Sequence, residues 1–180
     1  SGLISLSSGT LMTLNALTTI TLTAPTSIFN SFCVMNRNVN ISGLLSCQGG
    51  ASISGSARFY GQTTFSGGIT VTGTSKMTGP TNVTGTLTVT GSTIVSGAGT
   101  FRGGITIQGA TNATGSSNFK GPISVSGNSS LFGQLYVSGF AKLFKGLSIA
   151  GKTDIIGPFN VTGTTNIKGS TSITGSADFK

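Results

Sequence analysis

A glycine recurs at every sixth residue through most of this chain of 180 residues. Stepping by six from Gly43 to Gly175 visits 23 positions, and 22 of them are glycine, with Lys145 as the exception. A fixed period sustained over such a length indicates a repeat architecture, in which each unit stacks on its neighbours. Several of these glycines are followed by Pro or by a second glycine, as in Gly103-Gly104, and such dipeptides are typical of corners.

A second set of positions lies two residues before each glycine. It runs in steps of six from Met35 to Phe179, and all 25 of its members are apolar. Two residues earlier again the side chain is small or aliphatic, whereas the even-numbered positions between these sets are mostly Thr, Ser, Asn, Lys or Gln. This alternation predicts β-strands with one buried face. We expect the chain to bend at the glycines, which would point inward and tolerate positive φ.

A second, longer period indicates how many sides each coil has. In the third inward set, bulky residues recur at a spacing of 18, interrupted once by Ala141: Ile69, Leu87, Ile105, Ile123 and Phe159. Residues at this spacing would stack on successive coils about 4.8 Å apart. The sequence therefore predicts an all-β fold, a single-chain triangular parallel β-helix (β-solenoid) with a period of 18 for each coil and of six for each side. A helix of three wound chains would not need this ladder within one chain.

The beginning of the chain departs from the repeat. Leu14, Ile20 and Leu22 are apolar residues at even positions, whereas later apolar residues are odd. We predict an N-terminal cap, an extra strand or a segment donated to a neighbour over residues 1–32, and the β-solenoid over 33–180. The sequence begins without Met and shows no signal peptide, which suggests a processed terminus or part of a longer product.

The composition argues against catalysis. The chain has no His, and its two acidic residues, Asp154 and Asp178, are separated by one coil and one further side, which should place them on different faces. Paired-carboxylate chemistry needs the two groups about 5 to 10 Å apart. Cys33 and Cys47 match neither a CxxC metal pair nor a redox motif, so we expect buried thiols. The sequence thus predicts a protein that is not an enzyme and has no cofactor or metal.

The charge balance bears on partners. Ten Lys and Arg residues against two Asp residues give a net charge of +8, which draws attention to anionic partners. The basic residues are scattered, however, and this argues against a nucleic-acid surface. A membrane-spanning helix needs an apolar run of about 18 residues or more, and the sequence has none, so we expect no membrane span.

Two features predict contact surfaces. The aromatic residues Phe132, Tyr136, Phe140 and Phe144 occupy outward, even positions near Lys142 and Lys145, and would girdle one coil. Exposed apolar area of this kind usually marks a contact surface. The repeat also continues at full strength to the end of the sequence, so the last coil, with Phe179 and Lys180, would present an open strand edge to another subunit or to further chain.

The repeat resembles known structural proteins. The run Ile69-Thr70-Val71-Thr72-Gly73, continued through Gly79 and Gly85, resembles the wall of bactofilins, the polymer-forming β-helical cytoskeletal proteins of bacteria. It is also similar to the TVTG-type repeats of phage and large-virus fibre and tail proteins. The first resemblance implies a right-handed triangular helix that polymerises through its ends. The second implies a rigid extracellular rod, often trimeric.

These observations favour a structural self-assembling subunit of a filament, a fibre, or a virion or cell-surface layer. Its partners would be copies of itself, head-to-tail and lateral, or other structural proteins. An extracellular or virion-surface location is expected, with a cytoskeletal one as the alternative. The alternative function is a monomeric solenoid that binds ice, through threonine rows such as Thr70/Thr72 above Thr88/Thr90, or binds a polyanion or glycan.

Overall fold

A computed structural model describes residues 3–6, 11–14 and 16–180 of the chain. The regular structure of these residues consists of 29 β-strands of three or four residues, without a helix. The strands are Leu3–Leu6 (β1), Leu11–Leu14 (β2), Thr19–Leu22 (β3), Thr26–Phe29 (β4), Phe32–Met35 (β5), Asn38–Ile41 (β6), Leu44–Cys47 (β7), Ala51–Ile53 (β8), Ala57–Phe59 (β9), Thr63–Phe65 (β10), Ile69–Val71 (β11), Ser75–Met77 (β12), Thr81–Val83 (β13), Leu87–Val89 (β14), Thr93–Val95 (β15), Gly99–Phe101 (β16), Ile105–Ile107 (β17), Thr111–Ala113 (β18), Ser117–Phe119 (β19), Ile123–Val125 (β20), Ser129–Leu131 (β21), Leu135–Val137 (β22), Ala141–Leu143 (β23), Leu147–Ala150 (β24), Thr153–Ile156 (β25), Phe159–Val161 (β26), Thr165–Lys168 (β27), Thr171–Thr174 (β28) and Ala177–Phe179 (β29).

The strands form three parallel sheets, and successive strands take their places in the three sheets in rotation. Sheet 1 contains every third strand from β1 to β28, sheet 2 those from β2 to β29, and sheet 3 those from β3 to β27. We call three successive strands, one from each sheet, a coil. Ile69 pairs with Leu87, and Leu87 with Ile105, so the period of one coil is 18. The prediction of a three-sided β-solenoid is confirmed.

The core is a column of inward side chains along the solenoid axis. Val71, Met77, Val83 and Val89, one apolar position per side, are fully buried. The ladder predicted at a spacing of 18 stacks in register on sheet 2, from Ile69 to Phe159. Each buried aliphatic side chain contributes about 1.5 to 3 kcal/mol. Because a solenoid repeat contacts only its neighbours, this contribution stabilises the coils above and below it.

The first coil joins the same three sheets with longer and uneven spacings. Its strands pair with the next coil at spacings of 23, 21 and 19, in the pairs Leu3 with Thr26, Leu11 with Phe32, and Thr19 with Asn38. All three numbers are odd, so even residues of the first coil lie opposite odd residues of the second, such as Ile20 opposite Val39. This accounts for the change of parity before residue 33. A cap or donated segment over 1–32 remains a prediction, although strands on both sides of the boundary share sheets.

The periodic glycines stack on one another along the corners. A Cβ atom on Gly97 would lie 2.7 Å from both the carbonyl carbon and the oxygen of Gly79, on the coil before it. No real side chain tolerates such an approach to backbone, so glycine is required even though φ at Gly97 is not positive. Positive φ adds to the requirement at a few corners, such as Gly175 with φ 138°. Close contact between coils, rather than an inward-pointing glycine, therefore explains the six-residue period.

Candidate interaction surfaces

Four aromatic side chains project outward from one coil, and we call them the aromatic belt: Phe132, Tyr136, Phe140 and Phe144. Their exposed fractions are 55%, 36%, 40% and 43%, respectively. Phe132 follows β21 of sheet 3, Tyr136 lies within β22 of sheet 1, and Phe140 and Phe144 flank β23 of sheet 2. The belt therefore passes around all three sides of the solenoid. The role of these residues in contacts stays a prediction.

Other exposed apolar groups extend the belt along one corner. Pro122 and Pro158 are exposed and lie one coil before and one coil after Phe140. The N–H of Ile123 donates to the carbonyl of Phe140 at 2.8 Å, and the N–H of Ala141 donates to that of Pro158 at 3.0 Å, so the three stack on successive coils. Ile156, 47% exposed, leads into the same corner. The result is an apolar ridge between sheets 1 and 2.

Lysines accompany the belt as the sequence predicted. The ammonium of Lys142 lies 4.7 Å from the ring centroid of Phe144, within the range of a cation–π contact. Lys145, at the one periodic position without glycine, is exposed. At the next residue, the N–H of Gly146 donates to Oδ1 of Asn128 at 3.1 Å on the preceding coil. This side-chain bond ties the two coils together at the irregular corner.

The last coil has its inward side chains uncovered. Phe179 is 47% exposed and Ile167 and Ile173 are half-buried, whereas the same positions one coil earlier are 1% exposed: Ile149, Ile155 and Val161. Phe179 packs edge-on against Phe159, with ring centroids 5.8 Å apart. Each final strand, β27, β28 and β29, is hydrogen-bonded along one edge.

The free edge of these strands has a definite polarity. In the coil before, the N–H of Thr153 donates to the carbonyl of Ser170 and the N–H of Phe159 donates to that of Ser176, each at 2.9 Å. The equivalent N–H groups of Thr171 and Ala177 point the same way, toward the position of a further coil. Lys180, beside them, is exposed and pairs with Asp178 at 3.4 Å.

The threonine rows stack as the sequence predicted but are short. On sheet 2, Thr70, Thr88 and Thr106 align on three successive coils. The row then continues through Ser124, Lys142 and Asn160 on the following coils. A flat array of threonine hydroxyls is therefore confined to three coils of one face.

The acidic and thiol groups are separated. Asp154 lies in β25 of sheet 1 and Asp178 in β29 of sheet 2, on different faces as predicted. Asp154 pairs with Lys152 at 3.0 Å. Among the described residues, no group of three or more His, Cys, Asp or Glu side chains is placed to hold a metal ion. That part of the chain also contains no helix with the length and apolarity to cross a bilayer.

Cys33 and Cys47 are buried free thiols, as predicted. Burial raises the pKa of each thiol from 9.0 to about 11, and the S–H of Cys47 donates to the carbonyl of Gly50 at 3.2 Å. We expect the folded protein at pH 8 to carry about a hundredfold less thiolate than unfolded chain and to react correspondingly slowly with a disulfide reagent. Because folding keeps these thiols protonated, their contribution to stability should be lost between pH 9.0 and about 11.

Labelling of native protein with Ellman's reagent, compared with labelling in guanidinium, measures this difference. Equal rates in the two conditions would show that the thiols are not enclosed by the first coils.

The surface of sheet 1 was missed by sequence reasoning. Arg102 and Lys120 are scattered in the linear sequence, yet they follow neighbouring strands, β16 and β19, which pair in register. Aligning the even positions with a period of 18 would have placed the two cations side by side.

No protein-family model matches the chain, and neither a curated protein nor a solved structure does. The geometry of the surfaces therefore carries the functional assignment by itself.

Proposed function

We propose that this chain is a structural, self-assembling subunit of a filament, a fibre, or a virion or cell-surface layer. The observation that carries the proposal is the aromatic belt, with four rings between 36% and 55% exposed around one coil. Elsewhere the outward strand positions are mostly Thr, Ser and Asn, so the belt is a local departure from a polar surface. Contiguous exposed apolar area marks protein contact surfaces, and the belt provides it at the ridge where Phe140 lies between Pro122 and Pro158.

The distribution of the belt favours an assembly with several neighbours. Phe132, Tyr136 and Phe140 face different sides, so a single partner on one side would leave the others exposed. Side-by-side packing of rods, as in a bundle or layer, covers all of them. The solenoid presents these rings on a hydrogen-bonded frame, which lowers the entropy cost of ordering them at an interface.

As the resemblance to bactofilins implies, we extend the proposal to an axial contact with a second copy at the edge formed by β27, β28 and β29. A second copy placed on this edge would bury Ile167, Ile173 and Phe179 and continue the hydrogen bonding of the sheets. By resemblance, the assembly would be a bactofilin-like filament or a viral fibre; an extracellular or virion-surface location fits the latter and a cytoskeletal one the former. The alternative of a monomeric ice-binding solenoid rests on the threonine row of sheet 2.

We expect the double substitution Phe140→Ser/Phe144→Ser to weaken self-association about tenfold or more. Aromatic anchors that become buried on association dominate the binding free energy of interfaces. Sedimentation velocity over a range of protein concentrations measures the effect. Tyr60→Ser is the matched control, because Tyr60 is 49% exposed on a coil far from the belt.

The double variant should keep the circular dichroism and thermal unfolding of the parent, since both rings project outward. Unchanged association of the double variant would contradict a role for the belt. Equal weakening by Tyr60→Ser would show that association is unspecific.

A further inference from the structure

Two adjoining concavities on the outer surface of sheet 1 form a groove along the solenoid axis. The residues just before the strands of sheet 1 stack on successive coils: Gln62, Pro80, Ala98, Ser116, Gln134 and Lys152. Hydrogen bonds show the stacking, since the N–H of Thr63 donates to the carbonyl of Pro80 at 2.9 Å and the N–H of Leu135 donates to that of Lys152 at 2.8 Å. This row of six stacked residues therefore extends over five steps between coils, roughly 24 Å along the axis.

The two concavities of this groove have volumes of about 250 Å³ each. The first is lined by Gln62, Asn82, Thr100 and Arg102, among others. The second is lined by Asn118, Gln134, Tyr136, Lys152 and Asp154, among others. Thr100 pairs directly with Asn118, so the two concavities are consecutive along the sheet. Hydroxyl and amide groups lie in both concavities, together with apolar groups such as Pro80 and Ala98.

The groove is bordered by unneutralised positive charge. Arg102 and Lys120 follow β16 and β19, which pair in register, so the two cations lie on neighbouring coils. Both are exposed. The two acidic side chains of the chain form ion pairs with other residues, Asp154 with Lys152 at 3.0 Å and Asp178 with Lys180 at 3.4 Å. The border thus attracts anionic groups.

One polar atom in the groove is buried without a partner. Oδ1 of Asn118 is shielded from solvent and accepts no hydrogen bond from the protein. An unsatisfied buried acceptor costs about 1 to 3 kcal/mol. Asn118 as a whole is half-buried, and its remaining surface lines the second concavity. The residue opposite Asn118 on the next strand is Tyr136, which is 36% exposed. An amide side chain at the surface of the groove and an aromatic ring are therefore adjacent.

We propose that this groove binds an acidic polysaccharide lying along the solenoid axis. Arg102 and Lys120 would bind its carboxylate or sulfate groups, Asn118 and Gln134 its hydroxyls, and Tyr136 would stack on a sugar ring. Single-stranded nucleic acid is recognised by aromatic side chains that stack on successive bases. The groove contains one aromatic side chain amid amides and hydroxyls, which fits a sugar chain better.

Binding of dextran sulfate, with neutral dextran as the uncharged probe, tests the proposal by isothermal titration calorimetry at physiological salt. We expect Arg102→Gln/Lys120→Gln to weaken binding roughly tenfold or more, because charge-assisted bonds are the strong ones. The matched control is Arg58→Gln/Lys76→Gln, which removes the same charge from a stacked pair on sheet 3 and should change affinity less than about threefold.

Tyr136→Ser should weaken binding severalfold, and Tyr136→Phe should keep it. All these residues project outward, and unchanged thermal unfolding of the variants confirms that they fold. Equal losses from the two charge pairs, absence of dextran sulfate binding, or tighter binding of oligo(dT) than of dextran sulfate would each overturn the proposal.

Polysaccharide binding in the groove does not require self-assembly. Titration at concentrations where the protein is monomeric separates polysaccharide binding from self-association. The assembly test uses Phe140 and Phe144, which lie beside sheet 2 and outside the groove. Tyr136 belongs to both the belt and the groove, so its variants are used only in the titration of the monomer. A negative result in either experiment therefore leaves the other standing.

Discussion

Replacing Val89 by Asp is expected to destabilise the solenoid by about 4 kcal/mol or more. Val89 is fully buried and lies between Val71 and Ile107 on the neighbouring coils. A carboxylate at this position would be surrounded by apolar side chains, and burying an unpaired charge costs several kcal/mol. Because each coil contacts only its neighbours, we expect the damage to be centred on β11, β14 and β17.

Thermal unfolding measures the size of this loss of stability, and hydrogen exchange followed by mass spectrometry measures its location. Thr90→Asp is the control, since Thr90 is the next residue, is exposed, and points away from the core. The same introduced charge should there change stability by less than about 0.5 kcal/mol. Similar effects at both positions would contradict the assignment of inward and outward faces.

Replacing Gly103 by Ala is expected to cost about 3 kcal/mol. A Cβ atom on Gly103 would lie 2.5 Å from the carbonyl carbon of Gly85 on the preceding coil. Relieving this steric clash requires a backbone shift at a corner where the coils are already in contact. Overpacking of this kind costs about 1 to 3 kcal/mol or more. The effect would arise from packing, since φ at Gly103 is not positive.

The adjacent residue provides the control. A Cβ atom on Gly104 would meet nothing closer than the Pro122 Cγ atom at 3.7 Å. Its φ is not positive, so Gly104→Ala should be neutral or stabilise by about 0.4 to 1 kcal/mol through the unfolded state. Chemical denaturation of the two variants gives the comparison. Equal effects would mean that coil contact does not explain the glycine period.

Much of the fold follows from the sequence because its periods correspond to distances in the structure. In the sequence, Ile69, Leu87 and Ile105 recur at a spacing of 18. In the structure, residues at the same spacing pair with one another on neighbouring strands. The parity of Phe132 and Phe140 likewise predicts their exposure, because alternate residues of a strand point to opposite faces.

The first coil could not be predicted in the same way. Its spacings of 23, 21 and 19 contain no repeated unit, so Ile20 and Leu22 read as a break in the pattern. The pairing of Ile20 with Val39 depends on corner lengths that single-residue preferences do not specify. The steric reason for the periodic glycines could not be predicted either, because the contact between Gly97 and Gly79 is a tertiary contact between coils.

The groove of sheet 1 depends on the same tertiary alignment. Arg102, Asn118 and Tyr136 are far from one another in the sequence, and only stacking brings them onto one surface. The unpaired Oδ1 of Asn118 depends on how adjacent side chains cover it, which no periodicity shows. Candidate sites on solenoids are therefore found by comparing outward residues one coil apart.

Negative-stain electron microscopy of the purified chain, at increasing protein concentration, tests the proposed assembly most directly. A single solenoid of nine to ten strands per sheet would be roughly 45 Å long. We predict rods that associate side by side, and that lengthen by the addition of copies at the open edge. Rods that keep the length and width of one chain at every concentration would contradict self-assembly.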